Sequence, residues 1–188
     1  MPRLSIEEVR DFLKTHLVVR IATLSEGGFP YVAPTGFVLD KDVVLLSPRG
    51  RAAWYQNIER DPRVGLSFDQ EAPPNQRVIV HGVEATILYP PGREAEWLHI
   101  ARRISSKAFG EAGADHYLAA TGHISRALIS VPLPYGERRL LSWRPEVNGD
   151  DLSGLWPSRY GKINPHAHTE NSSDFAGWAP DDRDGEAR

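Results

Sequence analysis

Two arginines flank a glycine where the sequence changes from a strand pattern to a helix pattern. The stretch "LLSPRGRAAWYQNIERDP" begins apolar, passes through Ser47, Arg49, Gly50 and Arg51, and then takes helical spacing. Free backbone N–H groups at a helix start, together with the helix dipole, favour an anion. Arginine forks bind phosphate through paired hydrogen bonds. The residues alone leave two interpretations open, a phosphate site or a pair of solvated turn arginines.

Other chemistry-bearing patterns are weak. No nucleophile–base constellation can be identified, so the catalytic residues stay unknown. His166 and His168 have the spacing of a metal pair, but no third ligand accompanies them, so no metal site is predicted. The chain has no cysteine, which excludes disulfides, thiolate zinc sites and cysteine nucleophiles. That composition suits a cytoplasmic protein.

Charge and hydropathy argue against a nucleic-acid-binding, membrane-spanning or secreted protein. The 188 residues carry a net charge of −3, and residues 150–188 hold eight of the 25 acidic and four of the 22 basic residues. The rest of the chain is close to neutral, which argues against a nucleic-acid partner, because such binding depends on a basic face. No apolar run is long enough for a membrane-spanning helix, and no secretory signal is expected at the start.

The first half of the chain predicts a strand meander between two helices. Ser5 and Glu8 form a capping box before a helical apolar pattern, which predicts a first helix. Strands are predicted over residues 18–24, 29–39 and 43–47, joined by short turns. A helix over residues 51–60 follows and stops at Asp61-Pro62. A fourth strand is predicted over residues 63–69.

The second half predicts a long strand, helices and a closing hairpin. Residues 77–88 read as one strand with Gly82 as a bend. A helix is expected over residues 94–109, then a loop "GEAGAD" and a weak helix around residues 116–120. Residues 124–131 and 138–143 are expected to pair as a hairpin around "PLPYGE".

These elements predict one domain with a tail. Six or seven mostly antiparallel strands with inserted helices indicate a mainly β, α+β fold, a small barrel with short flanking helices. The barrel domain is expected over residues 1–149. Residues 150–188 form a polar arm too poor in apolar residues to build its own core. Trp156, Tyr160 and Trp178 in this arm indicate a docking segment.

The order of features resembles the FMN-binding split-barrel superfamily, the pyridoxamine-phosphate-oxidase-like proteins and their deazaflavin-dependent relatives. The matching pieces are "VVRIATLSEGGFPYVAPTGFVLDKDVVLLSPRGRAAWYQNIERDPRVGLSF", "RVIVHGVEATIL" and "RALISVPLPYGERRLLSWRP". Each motif is degenerate alone, but their order and spacing over roughly residues 5 to 146 are fairly specific.

The resemblance implies positions for a cofactor. The flavin phosphate would lie at the end of the third strand and the basic segment after it, here Leu46, Ser47, Arg49, Gly50, Arg51 and Ala52. The isoalloxazine ring would lie along the second strand, here Val32, Ala33, Pro34 and Thr35. Gln76 and Arg77 would reach the cofactor of a partner subunit, and Trp143 would lie at the ring edge.

The resemblance also implies a function. It indicates a homodimeric FMN-dependent oxidoreductase that passes hydride equivalents between a reduced nicotinamide and a small molecule. Two departures argue against pyridoxamine-phosphate oxidase itself: Ala53 and Trp54 stand where the family often has a lysine, and the C-terminal tail is acidic. A deazaflavin-dependent reductase and a non-catalytic flavin- or haem-binding module remain as alternatives.

Overall fold

The computed structural model describes residues 3–70 and 75–144, which fold into one curved antiparallel sheet with three α-helices. The predicted C-terminal arm lies outside the described residues. With it lie the side chains singled out there from sequence, namely Trp156, Tyr160, His166, His168 and Trp178.

The described sheet has eight strands in the order β6–β7–β3–β2–β1–β4–β5–β8, and all neighbours are antiparallel. The predicted antiparallel split barrel is therefore confirmed, with one or two strands more than expected. The strands are β1 (Val18–Leu24), β2 (Pro30–Asp40), β3 (Val43–Leu46), β4 (Arg63–Asp69), β5 (Arg77–Glu84), β6 (Thr86–Tyr89), β7 (Leu128–Pro132) and β8 (Leu140–Trp143). The helices are α1 (Ile6–Thr15), α2 (Ala53–Arg60) and α3 (Leu98–Thr121).

The main core lies on the inner face of the sheet. Alternate residues of each strand point to the same side, and Val19, Ile21, Phe37 and Val80 are fully buried there. The same core also takes in side chains of the first two helices, namely Val9, Phe12, Leu13, Trp54, Tyr55 and Ile58. Both helices therefore act as parts of the barrel wall, and burial of their apolar stripes holds them in place.

The predicted capping box of α1 is present. The Ser5 hydroxyl accepts a hydrogen bond from the Glu8 backbone N–H at 3.2 Å, and the Glu8 carboxylate accepts one from the Ser5 N–H at 2.7 Å. Two N–H groups that the helix itself cannot satisfy are thus paired, which fixes where the helix begins.

A second apolar cluster lies on the outer face of the sheet, under α3. Trp97, Ile100 and Ala101 pack there against Val38 of β2 and Leu128 of β7. The helix therefore covers the outer face over β2, β3 and β7. The next strands of the sheet, β1 and β4, present outward side chains such as Val18, which is 40% exposed.

The long strand predicted over residues 77–88 is two strands. β5 pairs with β4 and β8, whereas β6 pairs with β7 near the opposite edge of the sheet. Gly82 adopts a left-handed φ of +64°, and the backbone N–H of Ala85 donates to the Pro62 carbonyl at 2.8 Å. The chain changes partners at this corner, and the continuous apolar pattern of the sequence hides the change.

The predicted closing hairpin is wrong. β7 pairs with β3 and β6, and β8 pairs with β5, so the two strands lie far apart in the sheet. The segment that links the two strands does not form a hairpin turn. Its Leu133 N–H donates to the Asp42 carbonyl at 2.9 Å, and Leu133 is buried in the core. Burial of this link overrides the local turn signal.

The segment predicted as a loop, "GEAGAD", belongs to α3. The helix runs from residue 98 to residue 121 and is kinked at Gly110, whose φ is +70°. A left-handed φ is readily tolerated by glycine and is costly for other residues, so the kink sits where glycine allows it. The kink brings Tyr117 of the second half to within 5.2 Å of the Phe109 ring.

Lys107 connects α3 with α1 at the end of the barrel. Its Nζ donates to the Leu13 carbonyl at 2.9 Å and lies 3.8 Å from the centroid of the buried Phe37 ring. Burial disfavours the charged form and lowers the pKa of Lys107 to about 8. In the unfolded chain its pKa returns to the ordinary lysine value of about 10.4.

This difference predicts a stability that rises with pH. Between about pH 8 and about pH 10 the unfolded chain binds more protons than the folded one, so raising the pH favours folding. Urea denaturation should show a larger gain in unfolding free energy across this window for the wild type than for Lys107→Met. Lys14→Met, which changes a lysine whose side chain is 64% exposed, serves as the control and should keep the wild-type slope. Equal slopes in Lys107→Met and the wild type would refute this assignment.

Candidate functional site

The chain beyond β3 stays paired with the segment that leads into β7. The Gly50 N–H donates to the Ser125 carbonyl at 2.9 Å, and the Ala127 N–H donates to the Pro48 carbonyl at 3.0 Å. Arg49 and Arg126 are therefore direct partners in an antiparallel bridge. Directly opposite residues of an antiparallel pair have Cβ atoms about 5 Å apart and point to the same face.

These two arginines have no acidic partner. No ion pair involves either guanidinium within the described ranges, although Arg126 Nη2 donates to the Tyr117 hydroxyl at 2.9 Å. Like charges directly opposite each other destabilise a β ladder. An anion bound between them reverses that repulsion, because each guanidinium then gains an opposite charge and charge-assisted hydrogen bonds.

Glu94 fixes the backbone of this pair. Its Oε1 accepts hydrogen bonds from the Arg126 N–H at 2.7 Å, the Gly92 N–H at 3.0 Å and the Ser125 hydroxyl at 3.1 Å. Burial works to raise the pKa of Glu94, but the backbone hydrogen bonds from Arg126 and Gly92 outweigh it and the pKa is lowered. The ionised carboxylate thus binds the Arg126 main chain and does not pair with its guanidinium.

Next to Arg126 a pocket of about 310 Å³ opens between α3 and the outer face of the sheet; we call it the helix slot. Thr35, Gly36 and Ser47 line it on the sheet side, together with Val18 at the start of β1. The helix side is mostly apolar and includes Ile104, Ala108, Phe109 and Leu118. Two residues predicted from sequence to hold a cofactor, Thr35 and Ser47, therefore share one pocket with Arg126.

The other residues predicted to bind the phosphate lie in three different places, namely the core, a separate groove and the start of α2. The Leu46 side chain is fully buried in the core, so a ligand can reach only its backbone. Arg51 is exposed and lines a separate groove with Pro91 and His123. Ala52 caps α2 without a side-chain hydrogen bond, so α2 begins with N–H groups that no side chain caps.

Side chains of β2, the strand predicted to carry the ring, alternate between the outer and inner faces of the sheet. Val32 and Pro34 point away from the core and are exposed, Val32 by 59%. Ala33 points into the core, so a ligand can meet only its backbone. The outer surface of β2 thus combines an apolar side chain with a proline, and it runs directly into the helix slot at Gly36.

The remaining predicted residues lie elsewhere on the sheet. Arg77 of β5 is paired directly with Trp143 of β8, and Gln76 precedes Arg77 in the chain. Three strands, β2, β1 and β4, separate β5 from β3, the strand that leads to Ser47. At about 4.8 Å per strand, the two groups are roughly 19 Å apart along the sheet. The two groups therefore lie at separate places in the strand order.

From β2 to β8 the outer face carries exposed apolar side chains. Val18, Val32 and Leu141 are exposed by 40%, 59% and 38%. Arg20 and Asp69 form an ion pair on the same face. A surface of this kind, with apolar residues around a few paired charges, is typical of a protein contact.

Sequence reasoning missed Arg126 and Tyr117. Arg126 lies in a stretch predicted as a strand, and nothing local distinguishes it from a solvated arginine. Its role depends on the pairing with Arg49, which joins segments 77 positions apart in the chain. Tyr117 lies beyond the kink of α3, where the sequence suggested only a weak helix.

Comparison with known proteins identifies the family. The model of the family described as pyridoxamine 5'-phosphate oxidase matches residues 5–131. The chain belongs to this family. The match runs from α1 to β7, so it includes both Arg49 and Arg126. No curated protein matches the sequence closely enough to add to this assignment.

Solved structures share the fold at low sequence identity. A conserved hypothetical protein of Mycobacterium tuberculosis is 19% identical, with a TM-score of 0.62, over 80% of this chain and 94% of that one. The haem storage protein HutZ of Vibrio cholerae is 19% identical, with a TM-score of 0.55, over 75% and 96%. An FAD-binding protein of Mesorhizobium loti is 17% identical, with a TM-score of 0.52, over 75% and 93%. At these identities the likeness establishes the split-barrel fold alone.

No helix in the described part of the chain has the length and hydropathy needed to cross a membrane. Within the same residues, no three histidine or acidic side chains come together as a metal site.

The arginine pair predicts an anion-dependent stability. Arg49→Gln should stabilise the protein slightly in buffer without multivalent anions, because removal of a like-charge pair relieves up to about 1 kcal/mol. Phosphate should raise the melting temperature of the wild type and raise that of Arg49→Gln much less. Arg138→Gln changes an exposed arginine that is in no described ion pair and should respond to phosphate as the wild type does. An equal phosphate response in all three proteins would argue against an anion site here.

Proposed function

We propose that this chain is an FMN-dependent oxidoreductase that transfers hydride equivalents to or from a small molecule. The flavin phosphate binds Arg49 and Arg126 beside the Ser47 hydroxyl. The isoalloxazine ring lies over the outer surface of β2, from Val32 to Thr35. A reduced nicotinamide is the expected electron donor, and a cytoplasmic location is part of the same proposal.

One observation carries this proposal, namely that Arg49 and Arg126, which form no ion pair within the described ranges, lie opposite each other just beyond the end of β3. This is the strand end at which the family resemblance places the flavin phosphate. Two guanidinium groups can match the charge of a phosphate monoester, which is close to −2 at neutral pH. A single solvated arginine would be a weaker argument, because most surface arginines need no ligand.

Arg126 also accounts for a departure from the family pattern. Where a lysine often follows the basic segment, this chain has Ala53 and Trp54. Trp54 is 7% exposed and packs in the main core, so it supplies no contact for a phosphate. Arg126 lies at the same end of β3, on the neighbouring segment that pairs with Arg49. We infer that it provides the positive charge that the lysine provides elsewhere.

The proposed site fits FMN by the chemistry of its residues. Arg49 and Arg126 would bind the phosphate, and Ser47 would donate a hydroxyl hydrogen bond. FMN would supply the hydride chemistry, and the protein would supply binding and orientation. Pyridoxamine-phosphate oxidase activity is not part of the proposal, because the acidic tail offers no excess of basic residues for a substrate phosphate.

FMN titration of the purified full chain tests the phosphate site. Loss of one charge-assisted contact costs about 1.5–3 kcal/mol, so Arg49→Gln and Arg126→Gln should each weaken FMN binding about tenfold or more. Arg51→Gln, which faces a different groove, should have a smaller effect, and Arg138→Gln should have none.

The absorption spectrum of the same preparations separates the alternatives. Flavin bands and FMN affinity support the proposal. A protein that ignores FMN and binds a deazaflavin would support the reductase alternative, and a Soret band would support a haem module. FMN affinity that is unchanged in both Arg49→Gln and Arg126→Gln, with the fold intact, would refute the phosphate site.

We further propose a homodimer in which each flavin site takes residues from both chains. Gln76, Arg77 and Trp143 lie too far along the sheet to join Ser47 of the same chain, but a two-fold axis over the open outer face could bring them there from the partner. The exposed Val18, Val32 and Leu141 would then be buried in the contact.

Mixed dimers test this sharing. A heterodimer of a chain carrying Arg49→Gln and Arg126→Gln with a chain carrying Arg77→Gln has one intact site and one doubly defective site. It should bind FMN tightly at about half the wild-type stoichiometry, while both variant homodimers bind weakly. Light scattering that finds a monomer at micromolar concentration with FMN present would contradict the dimer. A heterodimer that binds no better than its parents would contradict shared sites.

A further inference from the structure

The helix slot is not accounted for by the phosphate site. Its sheet side, with Thr35 and Gly36, continues the strand surface on which the flavin ring is proposed to lie. Arg126 also lines the slot, and the proposed phosphate would neutralise its charge. The volume of about 310 Å³ is close to the lower limit of known small-molecule pockets.

The walls of the slot select against charged molecules. Apart from Arg126 at one end, none of its lining side chains carries a charge. The polar groups are hydroxyls, and that of Ser105 already donates to the Ala101 carbonyl at 2.9 Å. A charged molecule in this space would lose hydration without gaining a partner, which costs several kcal/mol by the usual desolvation argument. The chemistry therefore favours a neutral, mainly apolar occupant.

The shape of the slot favours a flat molecule. It lies between the sheet and α3, where small residues on both sides, namely Gly36, Ala101 and Ala108, leave room between larger apolar side chains. A Cβ built on Gly36 would lie 3.4 Å from Ile104 Cγ2, so the two walls already approach closely at this point. At the mouth Phe109 is 56% exposed and stacks at a tilt on Tyr117. An exposed aromatic pair beside a narrow apolar space offers a surface on which another ring can pack.

We propose that the helix slot binds a neutral, flat aromatic molecule of one or two rings. As the substrate of the enzyme, that molecule would lie against Thr35 and Gly36, next to the stretch of β2 proposed to carry the flavin ring. Its identification as the substrate rests on the proposed function, whereas its binding to the slot does not. Phe109 and Ala108 then act as specificity-determining residues, because they set the width and the aromatic surface of the mouth.

Calorimetric titration of the full chain with 2-naphthol, a neutral two-ring probe, tests this site. Ala108→Trp adds an indole to the lining of a pocket of only about 310 Å³ and should weaken 2-naphthol binding about tenfold or more, because the two ring systems would compete for the same space. Ala120→Trp places the same bulk on an exposed position of α3 outside the slot and should bind as the wild type does. Phe109→Ala should weaken binding roughly three- to tenfold through lost apolar contact. Leu98→Ala, a similarly exposed position on the same helix, should leave it unchanged.

FMN titration of these four variants separates the two proposals. The slot assignment requires that Ala108→Trp retain wild-type FMN affinity while losing 2-naphthol. Loss of FMN affinity in Ala108→Trp but not in Ala120→Trp would overturn it, because the slot would then belong to the flavin. No 2-naphthol binding by the wild type, or equal binding by Ala108→Trp, would overturn it as well. A protein that binds 2-naphthol in the slot and ignores FMN would overturn the proposed function and leave the binding site standing.

Discussion

The pairing of the chain after β3 with the segment before β7 is the constraint on which the candidate site depends. Two backbone hydrogen bonds, from Gly50 and Ala127, extend the ladder past the end of β3 and set Arg49 opposite Arg126. Backbone pairing has forced together two positive charges that side-chain electrostatics alone would separate. Glu94 adds to this constraint, because its carboxylate binds the backbone beside Arg126 and not the guanidinium, which has no acidic partner among the described residues. In the proposed site, holding the two like charges in place would prepare the fold for an anion before the anion arrives.

The rest of the barrel supports this arrangement from both sides. On the inner face, β3 and β7 contribute Leu46 and Ile129 to the main core, and this burial keeps the two strands in register. On the outer face, α3 packs over Leu45 and Leu128. The helix slot lies beside this packed area, between α3 and the sheet. One register therefore sets both the anion site and the floor of the slot beside it. Arg77 and Trp143 lie on strands well removed from β3 in the sheet order, and this separation is the basis for proposing a second chain.

The local parts of this structure could be predicted from the sequence, and the long-range parts could not. The capping box at Ser5 and the strands around residues 18–24 and 63–69 follow from patterns a few residues long, and the structure has them. The break after β5 and the separation of β7 from β8 depend on which distant strand is available as a partner, and the apolar pattern is the same in either case. The candidate site likewise has residues that could be predicted locally and one that could not. Ser47 and Arg49 follow from a strand-to-helix change read locally, whereas Arg126 acquires meaning only through its pairing with Arg49. The kink at Gly110, which brings Tyr117 to Arg126, depends likewise on packing against the sheet.

The central claim is that Arg49 and Arg126 of one chain hold the phosphate of a flavin between them. A crystal structure of the full chain grown with FMN is the most direct measurement of it. The account predicts phosphate oxygens within hydrogen-bonding distance of both guanidinium groups and of the Ser47 hydroxyl, with the ring over β2. A flavin phosphate bound elsewhere, with Arg49 and Arg126 still facing each other without an anion, would contradict it.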